Sequence, residues 1–586
     1  MAEDYTTSTA LLEALELAGV SHLFLNVGSD HPAILEAISK QHAEGKPKKI
    51  RFITAPHEFV GLSAAQGFFQ ASGKMQAILV HVDAGTLSMG GAIHNVSRAR
   101  IPVLMLAGTS PITDEGEAVG SRNEFIHSIQ DTIDQRGITR GYTVYENEIR
   151  TGKNVKQLIL RASQLAQSEP PGAAYLMASR ECLEERISPY DIDATKWKPI
   201  APSALSPASL ETIGEALLNA SRPVAVTTYL GRDPHAVTSF VKLAESLGIA
   251  VLEALPSHLN FPHDHPLYLG NHWSGPPDSV LHDADVVLVI DCDVPWIKTQ
   301  FKPPTNARVY HIDVDPLKVQ MSLFHIDTDL ACQANSRTAV EQLYHYVSSH
   351  PTVTDREDKV RSRVQDLEKR HREYATNFAS LEGVPEKDHI LTPHYVLSRL
   401  RSYLDEETII LNEGISNYRP VADVLKLSKP GSYFTSGATA LGWHGGAAIG
   451  AKLAQPTKTV VAITGDGTFL FSIPSTVHWM ARRYDAPFLT LILNNKGWKS
   501  PMLSAIAVHK NGYSSKVQSD DLHVTFDPPS DYAQIAVAAG AGYGATVKST
   551  SELDDVLEKG LKTVREGRAA VIDVWLPKFR VGDPVG

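Results

Sequence analysis

The stretch Thr459–Gly497, TVVAITGDGTFLFSIPSTVHWMARRYDAPFLTLILNNKG, decides the fold. Its opening run, Thr459–Thr464, is continuously apolar, which predicts a parallel strand buried on both faces. Gly465-Asp466-Gly467-Thr468 follows at once. Glycines at such a turn let backbone amides approach an anionic ligand at the next helix N-terminus. Asp466 then stands at the carboxyl end of a strand, where open α/β sheets bind ligands. A carboxylate there is a hard oxygen donor suited to Mg²⁺, which takes few protein ligands together with substrate phosphates. The 26 residues from Thr468 through Leu493 predict one helix and a return strand, Phe488–Leu493, which brings Asn494-Asn495 to the mouth of the neighbouring strand. Asn495 can add a second oxygen and the Gly497 carbonyl a third. Either motif alone is common turn chemistry. Together, one helix–strand unit apart, they point to a metal-bridged diphosphate. The chain has no GxxxxGK[ST] and no GxGxxG opening a helix after an early strand, and Gly540–Gly544 reads as a turn, so nucleotide sites built on those motifs are excluded.

The same rhythm of short Val/Ile/Leu runs and helical stretches extends outward through all 586 residues. Further predicted strands are His22–Val27, Ile50–Ala55, Ala77–Val82, Val103–Ala107, Val224–Thr228, Val286–Ile290, Val309–Val314, Thr408–Leu411 and Ala570–Trp575. Two segments break it. Arg186–Pro207, rich in Pro, Ser and Asp, reads as a linker. His350–Pro393 contains DREDKVRSRVQDLEKRHREY and reads as a solvated helix plus linker. The fold expected is α/β, with three doubly wound parallel-sheet domains at 1–187, 205–346 and 388–586, in line with the size at which single cores stop growing.

Composition is that of an ordinary globular protein, 43% hydrophobic and 21% charged. A net charge of −11 and the lack of a basic run disfavour nucleic acid. No apolar run approaches membrane-spanning length. Cys182, Cys292 and Cys332 are scattered, which argues against a disulfide framework or zinc site. With no signal-peptide pattern at the start, the expected location is the cytoplasm.

These motifs resemble the thiamine-diphosphate enzyme superfamily, in the branch of acetolactate synthase, pyruvate oxidase and benzoylformate decarboxylase, over nearly the whole chain. The resemblance implies an N-terminal pyrimidine-binding domain, a central domain and a C-terminal diphosphate-binding domain. It makes Asp466, Asn495 and the Gly497 carbonyl the Mg²⁺ ligands, with Gly465, Gly467 and Thr468 in the cofactor loop. Ser416, in NEGISN, matches a diphosphate-contacting position. Glu58, in RFITAPHEFVGLSAAQGFFQASG, matches the carboxyl group that hydrogen-bonds N1′ of the aminopyrimidine and activates the cofactor. In SGATALGWHGGAAIG, Leu441 falls at the wedge that bends the cofactor, and the Thr439 carbonyl faces its 4′-amino group.

On the substrate side the chain is similar to benzoylformate decarboxylase: His81 matches a catalytic histidine, and Ser29, in NVGSDH, matches a serine that meets the substrate carboxylate. Val27 replaces a family proline, and Asp30-His31 is unusual there. A histidine at a strand end can shuttle protons near neutral pH. His265 resembles a further histidine, Gln130-Asp131 stands where many relatives have Gln-Glu, and Trp498, Lys499, Ser500 and Met502 are expected to line the pocket. The implied reaction is decarboxylation of a 2-oxo acid, with an enamine intermediate released as an aldehyde or passed to an aldehyde or ketone acceptor. The alternatives are an acetolactate synthase-like carboligase and a catalytically silent thiamine-diphosphate-binding homologue. The implied assembly is a homodimer or homotetramer, with the site formed between two chains. FAD is not expected, and neither a nucleic-acid nor a membrane partner is.

Overall fold

The computed structural model describes residues 5–45, 49–272, 279–351, 356–387 and 389–582. The expected domain bounds at 1, 388 and 586, and Asp355 of the charged stretch, lie outside these residues. Three six-stranded sheets form, and every strand pair within them is parallel. The first holds β1 (His22–Leu25), β2 (Arg51–Thr54), β3 (Gln76–Val80), β4 (Val103–Thr109), β5 (Tyr145–Ile149) and β6 (Ala173–Ser179), in the order β2-β1-β3-β4-β6-β5. The second holds β7 (Pro223–Thr227), β8 (Ala250–Ala254), β9 (Tyr268–His272), β10 (Val286–Ile290), β11 (Arg308–Asp313) and β12 (Leu330–Gln333), in the order β12-β11-β10-β7-β8-β9. The third holds β13 (Ile409–Glu413), β14 (Tyr433–Phe434), β15 (Val460–Gly465), β16 (Leu489–Asn494), β17 (Tyr543–Val547) and β18 (Ala570–Trp575), in the order β14-β13-β15-β16-β18-β17. The first and third sheets thus share one strand order. Each reverses direction beside its first strand, which opens a crevice between first and third strands.

The central strands are the apolar runs the sequence announces; β15, β16 and β18 are almost wholly buried. Several strands were not predicted. Edge strands β5 and β17 are half-buried, and β5 reads YENEI, so neither carries a continuous apolar run. β14 has only two residues. The internal strand β6, AAYLMAS, is poor in β-branched residues. Gly540–Gly544 is a turn only at its start: Gly540 has φ 122°, and β17 begins at Tyr543.

The unit between the two motifs also differs from expectation. It contains two helices, Asp466–Phe471 and Pro474–Arg483, because Ile473 adopts φ 57° and Pro474 cannot continue the preceding turn. The charged segment forms helix Glu357–Ala379, in which Leu367 alone is buried among the described side chains.

The first and third domains are joined by helices Glu58–Ser72 and Trp443–Ala454, which touch backbone to backbone. A Cβ on Gly450 would lie 1.9 Å from the Ala64 carbonyl oxygen, and one on Gly67 2.2 Å from that of Ala447, so only glycine permits the approach. Arg100 links the first domain to the second, its Nη2 lying 2.9 Å from Asp293 beside the buried Lys318–Asp313 pair. Among the described residues, no helix is long and apolar enough to cross a membrane.

Candidate active site

The crevice of the third sheet is a cavity of about 330 Å³. Ser416, Thr439, Leu441, Gly465, Asp466, Gly467, Thr468, Asn495 and Gly497 all line it. Ser416 follows β13 and Asp466 follows β15, so they stand on either side of the direction reversal. Asp466 opens its helix, where the peptide dipoles favour an anion. A Cβ on Gly467 would meet the Trp498 indole at 2.5 Å, and one on Gly497, at φ 147°, would meet the Val524 carbonyl at 2.2 Å. The two glycines let this floor close.

Two oxygens in the cavity are buried and have no hydrogen-bond partner: Oδ2 of Asp466 and Oδ1 of Asn495. Such atoms are costly unless something binds them. Burial pushes the Asp466 carboxyl up to about 7. The backbone amides of Gly467, Asp466 and Gly497 oppose that rise, and the charge of Asp573 adds to it. A divalent cation would reverse the balance. Among the described residues no group of three or more His, Cys, Asp or Glu is arranged to hold a metal. A site of one carboxylate, one amide oxygen and one carbonyl suits Mg²⁺, which leaves its other positions to phosphate and water. The residues present fit a Mg²⁺–diphosphate group.

Supports that sequence reading missed lie far away along the chain. Asn494 donates to Asp573 Oδ1 at 2.9 Å and accepts from the Lys496 N–H at 3.0 Å, which fixes the loop carrying Asn495. Glu413, at the end of β13, accepts from the backbone N–H groups of Trp443 and His444 and so caps helix Trp443–Ala454. Asn95 brackets Ala440 with two hydrogen bonds, 2.8 and 3.1 Å, between Thr439 and Leu441. Apart from the local Asn494–Lys496 turn, none of these pairings has a short spacing that could have revealed it.

The first sheet carries the other candidates at the ends of three adjacent strands. Glu58 opens the helix after β2 and is 8% exposed; its Oε1 accepts from the Asn26 amide at 2.9 Å. Ser29 follows β1, and its hydroxyl is buried without a partner. His81 follows β3, with a quarter of its side chain exposed and Nδ1 2.7 Å from Asp30 Oδ1. None of these three lines the cavity of the third domain.

Trp498, Lys499 and Ser500 do line that cavity, whereas Met502 is buried away from its wall. His265 is taken up structurally: Nε2 lies 3.2 Å from Glu245, and Nδ1 accepts from the Leu267 N–H. Asp131 pairs with Arg122.

Residues 5–138 match the family described as thiamine pyrophosphate enzyme, N-terminal TPP binding domain; residues 210–343 match its central domain, and residues 414–574 its C-terminal TPP binding domain. The chain is 23% identical to a probable acetolactate synthase large subunit of Methanocaldococcus jannaschii over 96% of its own length and 91% of the other's. It is 25% identical to benzoylformate decarboxylase of Pseudomonas aeruginosa, over 84% and 86%. Its fold matches the thiamine diphosphate-dependent 4-hydroxybenzoylformate decarboxylase of Rhodococcus jostii with a TM-score of 0.76 at 19% identity, covering 98% of this chain and all of that one. It matches benzoylformate decarboxylase of Polynucleobacter necessarius with a TM-score of 0.77 at 17% identity, covering 98% of each.

Proposed function

Because the chain belongs to the thiamine pyrophosphate enzymes, we propose that it is a Mg²⁺-dependent 2-oxo-acid decarboxylase whose product is released as an aldehyde or passed to a carbonyl acceptor. The observation that carries this reading is the pair of buried, unpartnered oxygens of Asp466 and Asn495 at the mouth of a glycine-floored cavity.

Asp466, Asn495 and the Gly497 carbonyl would hold Mg²⁺, and Ser416 and the Gly465–Thr468 turn the diphosphate. Thiamine diphosphate, when bound, supplies an electron sink that stabilises the carbanion left as CO₂ departs. The residues of this chain do the rest. Leu441 presents an apolar shoulder and Thr439 a carbonyl. Glu58 would hydrogen-bond N1′ of the pyrimidine, its Oε1 already accepting from the Asn26 amide. His81 exchanges a proton with the substrate, and the Ser29 hydroxyl donates to the substrate carboxylate. Trp498 and Phe526, with ring centroids 4.7 Å apart, help to close the wall near Gly467.

Glu58 does not line the cavity of the third domain, and in this reading the first domain of a second copy completes the site. Exposed apolar side chains support that partner: Phe125, Ile129 and Ile133 in the first domain, and Phe471 and Trp498 in the third. Carboligation is the second reading, favoured by the greater extent over which the acetolactate synthase relative matches.

The test is a panel of 2-oxo acids with and without aldehyde acceptors, read by mass spectrometry. Aldehyde from the donor alone supports decarboxylation, and product only with an acceptor supports carboligation. No turnover of any 2-oxo acid with Mg²⁺ and thiamine diphosphate present would sink both.

A further inference from the structure

The Asp30-His31 pair is not absorbed by the family reading, and as a sequence it looks like turn chemistry. The structure gives Asp30 a different task. Its carboxylate is fully buried, and beyond the neighbouring His31 its contacts lie in another part of the chain. Oδ1 accepts from His81 Nδ1 at 2.7 Å, and Oδ2 accepts from the Val82 N–H at 3.1 Å. Val82 has φ 35°, a left-handed conformation that a β-branched residue rarely adopts. One carboxylate therefore pins both the His81 ring and the strained peptide that follows it. The packing is built around it: a Cβ on Gly108 would lie 1.9 Å from Asp30 Oδ2.

We propose that Asp30 is a positioning residue that fixes the orientation and tautomer of His81, so that Nε2 is the atom exchanging a proton with the substrate. This inference rests on the decarboxylase reading for its catalytic consequence, but the pairing itself does not. In the step, the proton leaves Nε2 for the substrate carbon that has lost CO₂. The electron pair of the N–H bond stays on the ring. The Nδ1 proton stays on the ring, hydrogen-bonded to Asp30, and solvent restores the proton to Nε2.

The charged surroundings agree. Burial alone would raise the Asp30 carboxyl, yet His31 and His81 hold it well below the ordinary carboxylate range. The hydrogen bond His81 donates to Asp30 raises His81 against its own partial burial, and Gln130 and Asp83 add to the rise. Facing His81, then, are Asp30 from the turn after β1, Gln130 from the segment Ile126–Gln130 and Asp83 from its own helix. His31 Nδ1 lies 2.9 Å from the same Asp30 oxygen and 3.2 Å from the Gly28 backbone nitrogen.

The experiment uses full-length protein labelled with ¹⁵N at histidine, with the His81 signals assigned by their loss in His81→Ala. In the wild type, His81 shows a protonated Nδ1 with a far-downfield, slowly exchanging proton. In Asp30→Asn, His81 loses its proton at a pH lower by about one unit or more. The alkaline limb of 2-oxo-acid turnover moves down with it. Turnover number near neutral pH falls by about tenfold to a hundredfold and partly recovers at lower pH. Thiamine diphosphate affinity is unchanged. Titration of His81 at the same pH in both proteins, or a wild type whose Nδ1 carries no proton, would overturn the proposal. The wild-type spectrum decides the pairing even where Asp30→Asn does not fold. If no 2-oxo acid is turned over while the spectra are as expected, the decarboxylase reading fails and the pairing stands.

Discussion

Asp30 and Asp466 are both buried carboxylates at crevices of two sheets with the same strand order, and they are perturbed in opposite directions. Asp30 has two imidazoles beside it and is held below the ordinary range. Asp466 faces no protein cation among the causes of its shift and is pushed up to about 7 by burial. The first crevice is charge-balanced from within the fold. The third leaves its balance to a ligand. On the proposed reading the same architecture yields a preformed side-chain network in one domain and an ion-and-phosphate cradle in the other, and the opposite electrostatics accompany that difference.

The comparison breaks most visibly at Glu58. Glu58→Gln removes the acidic proton but keeps the shape, so turnover should fall by about 10²–10⁴-fold while Mg²⁺ and thiamine diphosphate still bind. Steady-state kinetics beside calorimetry check this, and near-normal turnover would return Glu58 to the role of a helix-terminal acid. A milder test strikes the support of the third crevice. Asp573→Asn weakens the hold on Asn494 and removes a buried negative charge, and should lower cofactor affinity by about 10–100-fold with the fold intact. Unchanged affinity by titration calorimetry would show that the loop is held without Asp573.

The smallest effect is on pH. Asp466 must be ionised to bind Mg²⁺, and its value near 7 lies above the usual carboxylate range. Affinity for Mg²⁺ with thiamine diphosphate should therefore be full above about pH 7 and decline by at most about tenfold per pH unit below it. Affinity that stays flat between about pH 5 and 8 would mean that Asp466 is not the ligand.

The two crevices also differed in how legible they were. The third is encoded locally: an apolar strand, glycines and Asp466 in succession, then Asn494-Asn495 at the next strand end. Backbone-built cradles leave such motifs because only certain residues fit the turn. The break between the two helices leaves one mark in the sequence, Pro474, while the left-handed Ile473 before it leaves none. In the first crevice, Glu58, His81 and Ser29 emerge only through family resemblance. The bond between Asp30 and His81 joins residues 51 apart and leaves no periodic trace. The central strands were readable because burial on both faces demands apolar runs. The edge strands β5 and β17 were not, since a half-buried strand tolerates YENEI.

One measurement puts both crevices to work at once. Differently tagged Glu58→Gln and Asp466→Ala chains are co-expressed, and the mixed dimer is purified and assayed with the wild-type substrate beside each variant alone. If the first domain of one chain completes the third domain of the other, the mixed dimer has one site with both residues intact, and it recovers a substantial part of wild-type turnover while the single variants stay nearly silent. A mixed dimer as inactive as its parents would contradict a site shared between two chains.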